Sequence, residues 1–195
     1  MKKTSALLIA LALAAVPVAQ AATVQSGSYT VEPGHTQVGF SLLHLGFTPY
    51  SGLFSGATGT LLLDPAKPGA SKLDVSVKID TVQTTSDRLT DELKAADWFD
   101  AAKYPEAHFV STKVTSTGAE TATIDGRLTL HGVTRPVTLK ARFIGAGVNP
   151  MDKAYTVGFE ASGVIHRSEF GVSKYVPMVG DDVTLTIAGA FEKQR

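Results

Sequence analysis

Cysteine is absent from the 195 residues. That excludes disulfides, thiolate metal sites, cysteine redox chemistry and lipoprotein attachment through an N-terminal cysteine. An excess of charge is missing too, with 18 Lys and Arg against 18 Asp and Glu. Such a balance leaves no electrostatic footprint for nucleic acid and no basic patch for anionic lipid. Long apolar runs are also lacking. The run from Ala6 to Val18 falls short of the ~20 residues that a spanning helix needs. It follows Lys2 and Lys3 and leads into Ala19-Gln20-Ala21, the layout of a cleavable secretory signal. The expectation is a signal peptide over residues 1–21 and one mature domain over 22–195. Without Lys2 and Lys3, 16 basic residues remain against 18 acidic ones.

Catalytic patterns are equally scarce. The histidines His35, His44, His108, His131 and His166 are scattered, with no H-E-x-x-H, H-x-H or His/Cys spacing. No metal and no cofactor is implied. There is no G-x-S-x-G elbow and no S-x-x-K motif, so serine hydrolase chemistry has no support. Gly52, Gly56 and Gly59 read as turn glycines, as do Gly145 and Gly147. Asp181-Asp182 reads as a solvated turn. No catalytic residue is assigned.

What the chain has in abundance is alternation. Leu73, Val75, Val77 and Ile79 alternate with polar neighbours, as do Val137, Leu139, Ala141 and Phe143. Tyr155, Val157, Phe159 and Ala161 repeat the pattern, and Val183, Leu185 and Ile187 close it. A period of two describes strands with one face in an apolar interior. Further strands are expected near Tyr29–Glu32, Gln37–Leu45, Gly52–Leu63, Ala107–Thr115 and Thr121–Leu130. Turns are expected at Pro33-Gly34, Asp64 to Gly69, Thr117-Gly118, His131-Gly132 and the loop Gly145–Lys153. About eight strands in successive hairpins imply an all-β antiparallel barrel or sandwich.

One stretch breaks the pattern. Leu89, Leu93, Ala96 and Phe99 share a helical face, and Ser86 or Asp87 suits the N-cap. Asp97 and Tyr104-Pro105 should end that helix near Ala96, leaving Trp98 beyond it. Small residues at Gly126, Ala141, Ala161, Gly163 and Gly189 fall in register with the apolar face. They either bend strands for closure or leave interior space. Apolar loop residues such as Tyr175, Val176 and Met178 suggest the mouth of a pocket.

Four blocks together resemble a known family, the YceI-like proteins. They are Pro33-Gly34-His35-Thr36-Gln37-Val38-Gly39-Phe40 with Gly52-Leu53-Phe54; Asp91-Glu92-Leu93 through Asp97-Trp98-Phe99-Asp100 to Lys103-Tyr104-Pro105; Gly126 through Val137; and His166 through Val172 with Asp182-Val183. They follow the family's order across nearly the whole mature chain. Trp98 stands where Phe is usual and Glu169 where Asp is common.

The resemblance implies an extended eight-stranded, lipocalin-like antiparallel barrel with one short helix capping an end. It also implies a periplasmic protein that binds a polyisoprenoid or other long-chain lipid in a central channel and is not an enzyme. Expected lining residues are Phe40, Leu42, Phe54, Phe99, Phe109, Leu128, Phe143, Phe159, Ile165, Phe170 and Met178. His35, Arg167 and Tyr175 are assigned to the head-group end because they put polar chemistry beside apolar runs. Transient membrane contact and a homodimer are left open. Two other readings stand beside this one: an enzyme on a prenyl lipid using His35, His166 or Asp182, and a protein-binding module whose barrel is filled.

Overall fold

The computed structural model describes residues 24–194, so the expected signal peptide lies outside the described residues. Eleven strands and one α-helix occur among them. The strands are β1 (Gly27–Val31), β2 (Gln37–His44), β3 (Thr48–Phe54), β4 (Thr58–Leu63), β5 (Lys72–Lys78) and β6 (Gln83–Thr84). After helix α1 (Asp87–Lys94) come β7 (Glu106–Ser116), β8 (Thr121–Leu130), β9 (Val133–Val148), β10 (Tyr155–His166) and β11 (Asp182–Lys193).

All pairings are antiparallel, in the order β1-β4-β5-β7-β8-β9-β10-β11, and β1 returns to β11 to close the ring. Closure removes the free edges that an open sheet would expose. β2, β3 and the two-residue β6 supply the remaining pairings. β11 meets β1 through Phe191–Lys193 and β2 through Thr184–Ala188, so β1 and β2 are one barrel stave broken at Pro33-Gly34. β3 and β4 form the matching stave. The result is an eight-stave antiparallel barrel with a single capping helix.

The expected strand Gly52–Leu63 is two strands. Its break at Ser55–Ala57 includes Gly56 at φ 66°, and the Thr81 hydroxyl donates to the Ser55 carbonyl at 2.9 Å. The bend turns Ala57 inward, where it is buried. The expected loop at Gly145 also differs. β9 continues to Val148 because β10 supplies partners from Tyr155 onward. The turn at His131-Gly132 is as expected: Leu130 pairs with Val133, and both turn residues have positive φ, as a two-residue hairpin requires.

Helix α1 is capped by Ser86, whose Oγ accepts from the Leu89 N–H at 3.4 Å. Asp87 in its first turn and Lys94 in its last complement the helix dipole. It ends at Lys94 with Ala95 as its C-cap, close to the expected end, and Ala96 is exposed. The chain then folds back, with the Phe99 N–H donating to the Leu93 carbonyl. This return buries Trp98 with Val82, Leu93, Val172 and Val179.

Candidate functional site: an apolar barrel cavity

Inward-facing side chains do not fill the barrel. They enclose a cavity of about 390 Å³, within the range of ligand pockets, about 300–1,000 Å³. At its inner end stand Leu130, Val137, Ile165 and Val183, with the rings of Phe40, Phe54 and Phe99 packed in series, centroids 5.5 and 5.6 Å apart. Its wall includes Val75, Phe109, Leu128, Leu139, Leu185 and Ile187. Toward the other end Phe143, Phe159 and Phe191 make a second aromatic series, at 5.6 and 6.2 Å. Polar and turn residues gather where β4 meets β5 and β7 meets β8: Asp64, Ser71, Lys72, Ser116, Glu120 and Thr121. This is the mouth.

Strand alternation explains the wall. On β5, Leu73, Val75 and Val77 line the space, and on β11, Val183, Leu185, Ile187, Gly189 and Phe191 do so. The small positions divide into two kinds. Ala141, Ala161 and Gly189 face the cavity and leave it room. Gly126 and Gly163 do not. A Cβ on Gly126 would stand 2.2 Å from the Phe109 ring, and one on Gly163 would stand 2.9 Å from a Leu139 methyl. Their missing side chains are replaced by neighbours, so they shape the wall rather than widen it.

Of the residues expected to line a channel, Phe40, Phe54, Phe99, Phe109, Leu128, Phe143, Phe159 and Ile165 do stand on the wall. Leu42 and Phe170 do not. Both pack in the apolar plug behind the inner end, where Phe170 is 1% exposed. Met178 is 60% exposed on the outside of that same end. Apolar character alone cannot separate a wall from a plug or a surface.

Of the expected head-group residues, Arg167 and Tyr175 lie at the end opposite the mouth, and His35 stands at the break between β1 and β2. His35 is on the surface, bonded to Glu32. Tyr175, at φ 61°, is half-exposed and lies edge-on to Trp98. Arg167 is buried, and its guanidinium donates to the carbonyls of Gly180 (2.8 Å), Val172 (2.7 Å), Lys174 (2.9 Å) and Val179 (2.7 Å). It also stacks over Trp98 at 5.4 Å. Burial pushes the Arg167 pKa down and the nearby Asp181 pushes it up, with burial prevailing. Arg167 thus organises the loop over the helix end.

Asp181, expected as half of a solvated pair, has a structural role. It accepts from the Ser168 N–H at 2.8 Å and from the Ser168 hydroxyl at 2.7 Å. Desolvation works to raise its carboxyl, but Ser168, His166 and Arg167 outweigh that and hold it below the usual carboxylate range. At the same end Lys174 bridges Glu92 and Asp97. The Asp97 hydrogen bond raises the Lys174 ammonium, and Lys174 in turn lowers Asp97. Glu92 also accepts from the Trp98 indole N–H at 3.2 Å.

Sequence reasoning missed the mouth. Asp64 to Gly69 and Thr117-Gly118 read only as turns, and Thr121 as the start of a strand. Only barrel closure brings the two together.

A closed eight-stave barrel with an apolar cavity and a helix across one end defines a lipocalin-like binding fold. The family is identified by comparison. A family model for the YceI-like domain matches residues 29–191, and the chain belongs to the YceI-like family. It is 37% identical to a UPF0312 protein of Pseudomonas syringae pv. tomato, over 99% of this chain and all of that protein. Among solved structures it is similar to the YceI protein of Campylobacter jejuni, at 30% identity and TM-score 0.70, covering 78% of this chain and 90% of the other. A polyisoprenoid-binding domain from Saccharophagus degradans, implicated in plant cell wall breakdown, shares the fold at 12% identity. Its TM-score is 0.65, with 85% of this chain and 98% of that domain covered.

Proposed function

We propose that this chain is an exported, periplasmic carrier that holds the tail of a long-chain amphiphile, a polyisoprenoid, in its barrel. One observation carries the reading: an apolar cavity whose charged lining residues, Asp64, Lys72 and Glu120, all stand at one rim. Burying each CH₂ of a tail stabilises it by about 0.8 kcal/mol, so a prenyl chain has strong reason to leave water for such a wall. Apolar burial is non-directional. Cavity length and shape would therefore select the tail, and the rim around Asp64, Ser71 and Glu120 would orient the head group. The polyisoprenoid-binding domain with the same fold supports this class of ligand.

Binding fits the site better than turnover does. His35, His166 and Asp182 lie outside the cavity, with His166 bonded to Asp182 at 2.8 Å on the surface. General acid–base catalysis needs groups within hydrogen-bond reach of a bound substrate. The test is extraction: protein purified from its host without detergent is denatured, and the organic extract is analysed by mass spectrometry. A stoichiometric prenyl lipid is the expected result. Empty protein that also fails to bind prenyl lipids added in vitro would sink the proposal. Export rests on the leader-like segment, and the mass of the mature protein should place its first residue at Ala22.

A further inference from the structure

β9 extends past the end of β8 beside the mouth, while β10 stays paired with β11 as far as Thr156. β9 pairs with β8 only as far as Arg142, opposite Thr121, and beyond Phe143, as far as Val148, its strand partner is β10 alone. Phe143 lines the cavity, and its N–H donates at 2.8 Å to the carbonyl of Glu120 on the rim. The extension therefore rises from the mouth itself. Near its tip Val148 is 62% exposed and Met151 is 88% exposed.

We propose that this tip docks the mouth onto a zwitterionic lipid bilayer, so that a tail passes between bilayer and cavity without crossing water. The inference rests on the reading of the cavity as a lipid site. Three observations support it.

The turn satisfies its own polar groups. Asn149 Nδ2 donates to Asp152 at 2.7 Å, and the Met151 N–H donates to Asn149 Oδ1 at 3.0 Å. The Ala154 N–H donates to Asp152 at 2.8 Å, and Lys153 Nζ donates to the Pro150 carbonyl at 2.6 Å. Polar groups with internal partners lower the cost of entering a bilayer interface. Met151 projects from the turn beside the exposed Pro150, Asp152 and Lys153.

An apolar cluster stands between the base of the extension and the cavity. Ala146 packs on the cluster of Val157 and Phe191, and Phe191 also lines the cavity. The charges, by contrast, are mixed. Asp152 and Lys153 share the tip, and Asp64, Lys72 and Glu120 share the rim, so no basic field selects anionic lipid.

Another exposed apolar group, Leu45, Phe47 and Met178, lies at the helix end. The Leu45 N–H donates to the Met178 carbonyl there. A bilayer at that end would meet the plug and not the cavity, which makes Phe47 a matched control.

The cysteine-free chain allows single-site labels. Met151→Cys and Phe47→Cys variants, each carrying an environment-sensitive fluorophore, are mixed with phosphatidylcholine vesicles. A blue shift at position 151 alone, retained at high salt, is the expected result. A shift only at position 47 overturns the proposal. So does a shift at 151 that appears without vesicles and grows with protein concentration, which marks a second copy as the occupant. In a second assay, V148D/M151D should slow transfer of a fluorescent prenyl probe from vesicles about tenfold or more. Binding of the same probe delivered from detergent should be unchanged within about twofold. Unchanged vesicle transfer overturns the docking role. A probe that binds from neither source overturns the cavity reading instead, while the label at 151 still reads docking.

Discussion

At the helix end Ile79, Val82, Phe170 and Val172 are each at most 2% exposed and packed against other side chains. At the mouth end Phe143 and Phe159 face open space. Both regions draw on the same residue types and the same strand alternation. They differ in what crosses the barrel axis. One end has α1, the Trp98 return and the Arg167-centred loop to supply atoms; the other has only short connections at its rim. The packed end therefore carries stability, and the lined end the proposed binding. Each is a separate target for mutation.

The largest effect should come from Arg167→Ala. It strips partners from four backbone carbonyls beneath Trp98. Leaving buried acceptors unsatisfied costs about 1–3 kcal/mol each, and breaking a buried charged network costs about 3–5 kcal/mol. Urea unfolding should show a loss of about 3 kcal/mol or more. An unchanged midpoint would show that the loop holds itself.

Trp98→Ala comes next. Removing a buried Trp costs about 3–5 kcal/mol at full burial, and Trp98 is 6% exposed. Because Trp98 does not line the cavity, prenyl affinity of the folded variant should stay within about twofold. A tenfold loss of affinity with intact folding would erase the division between the ends.

Ala161→Phe reverses the assay. Its ring would enter the cavity from β10, so prenyl binding should weaken by at least about tenfold, or 1.4 kcal/mol. Thermal stability should hold, since the new ring fills space instead of displacing packed atoms. Titration with a fluorescent prenyl probe and a melting curve decide it together. Full affinity in the variant would place the ligand elsewhere.

The smallest effect concerns acid. Asp181 has its folded pKa below the unfolded value of about 3.9. Its contribution to stability is therefore present above about pH 4 and is lost as pH falls through the folded pKa. Asp181→Asn should cost about 1 kcal/mol at pH 7, with the gap to the parent closing below that window. Urea midpoints across pH check this, and a gap constant down to pH 2 contradicts it.

Much of the barrel was legible because strand alternation is a local signal. Val183 to Ile187 and Leu73 to Val77 could be assigned to an interior from their period alone, and so could the caps and turns at Ser86 and His131-Gly132. The break inside Gly52–Leu63 was not legible, because it depends on β3 and β4 having different partners. The long β9 was missed for the same reason: Gly145 and Gly147 look like loop until β10 pairs with them. Met178 and Tyr175 look like a pocket mouth by composition, yet they lie on the far side of the plug.

From sequence alone came the inward faces of β5, β9, β10 and β11, the helix after Ser86, the absence of thiol chemistry, and the family resemblance. The strand faces and the helix depend on neighbours a few residues apart, and the family on the order of four blocks along the chain. Which end opens was decided only by tertiary structure, because the mouth joins residues 64–72 to 116–121 through ring closure. The separation of Phe143, which lines space, from Phe170, which fills it, was decided the same way. Two phenylalanines of equal hydrophobicity differ only in whether another chain segment reaches them.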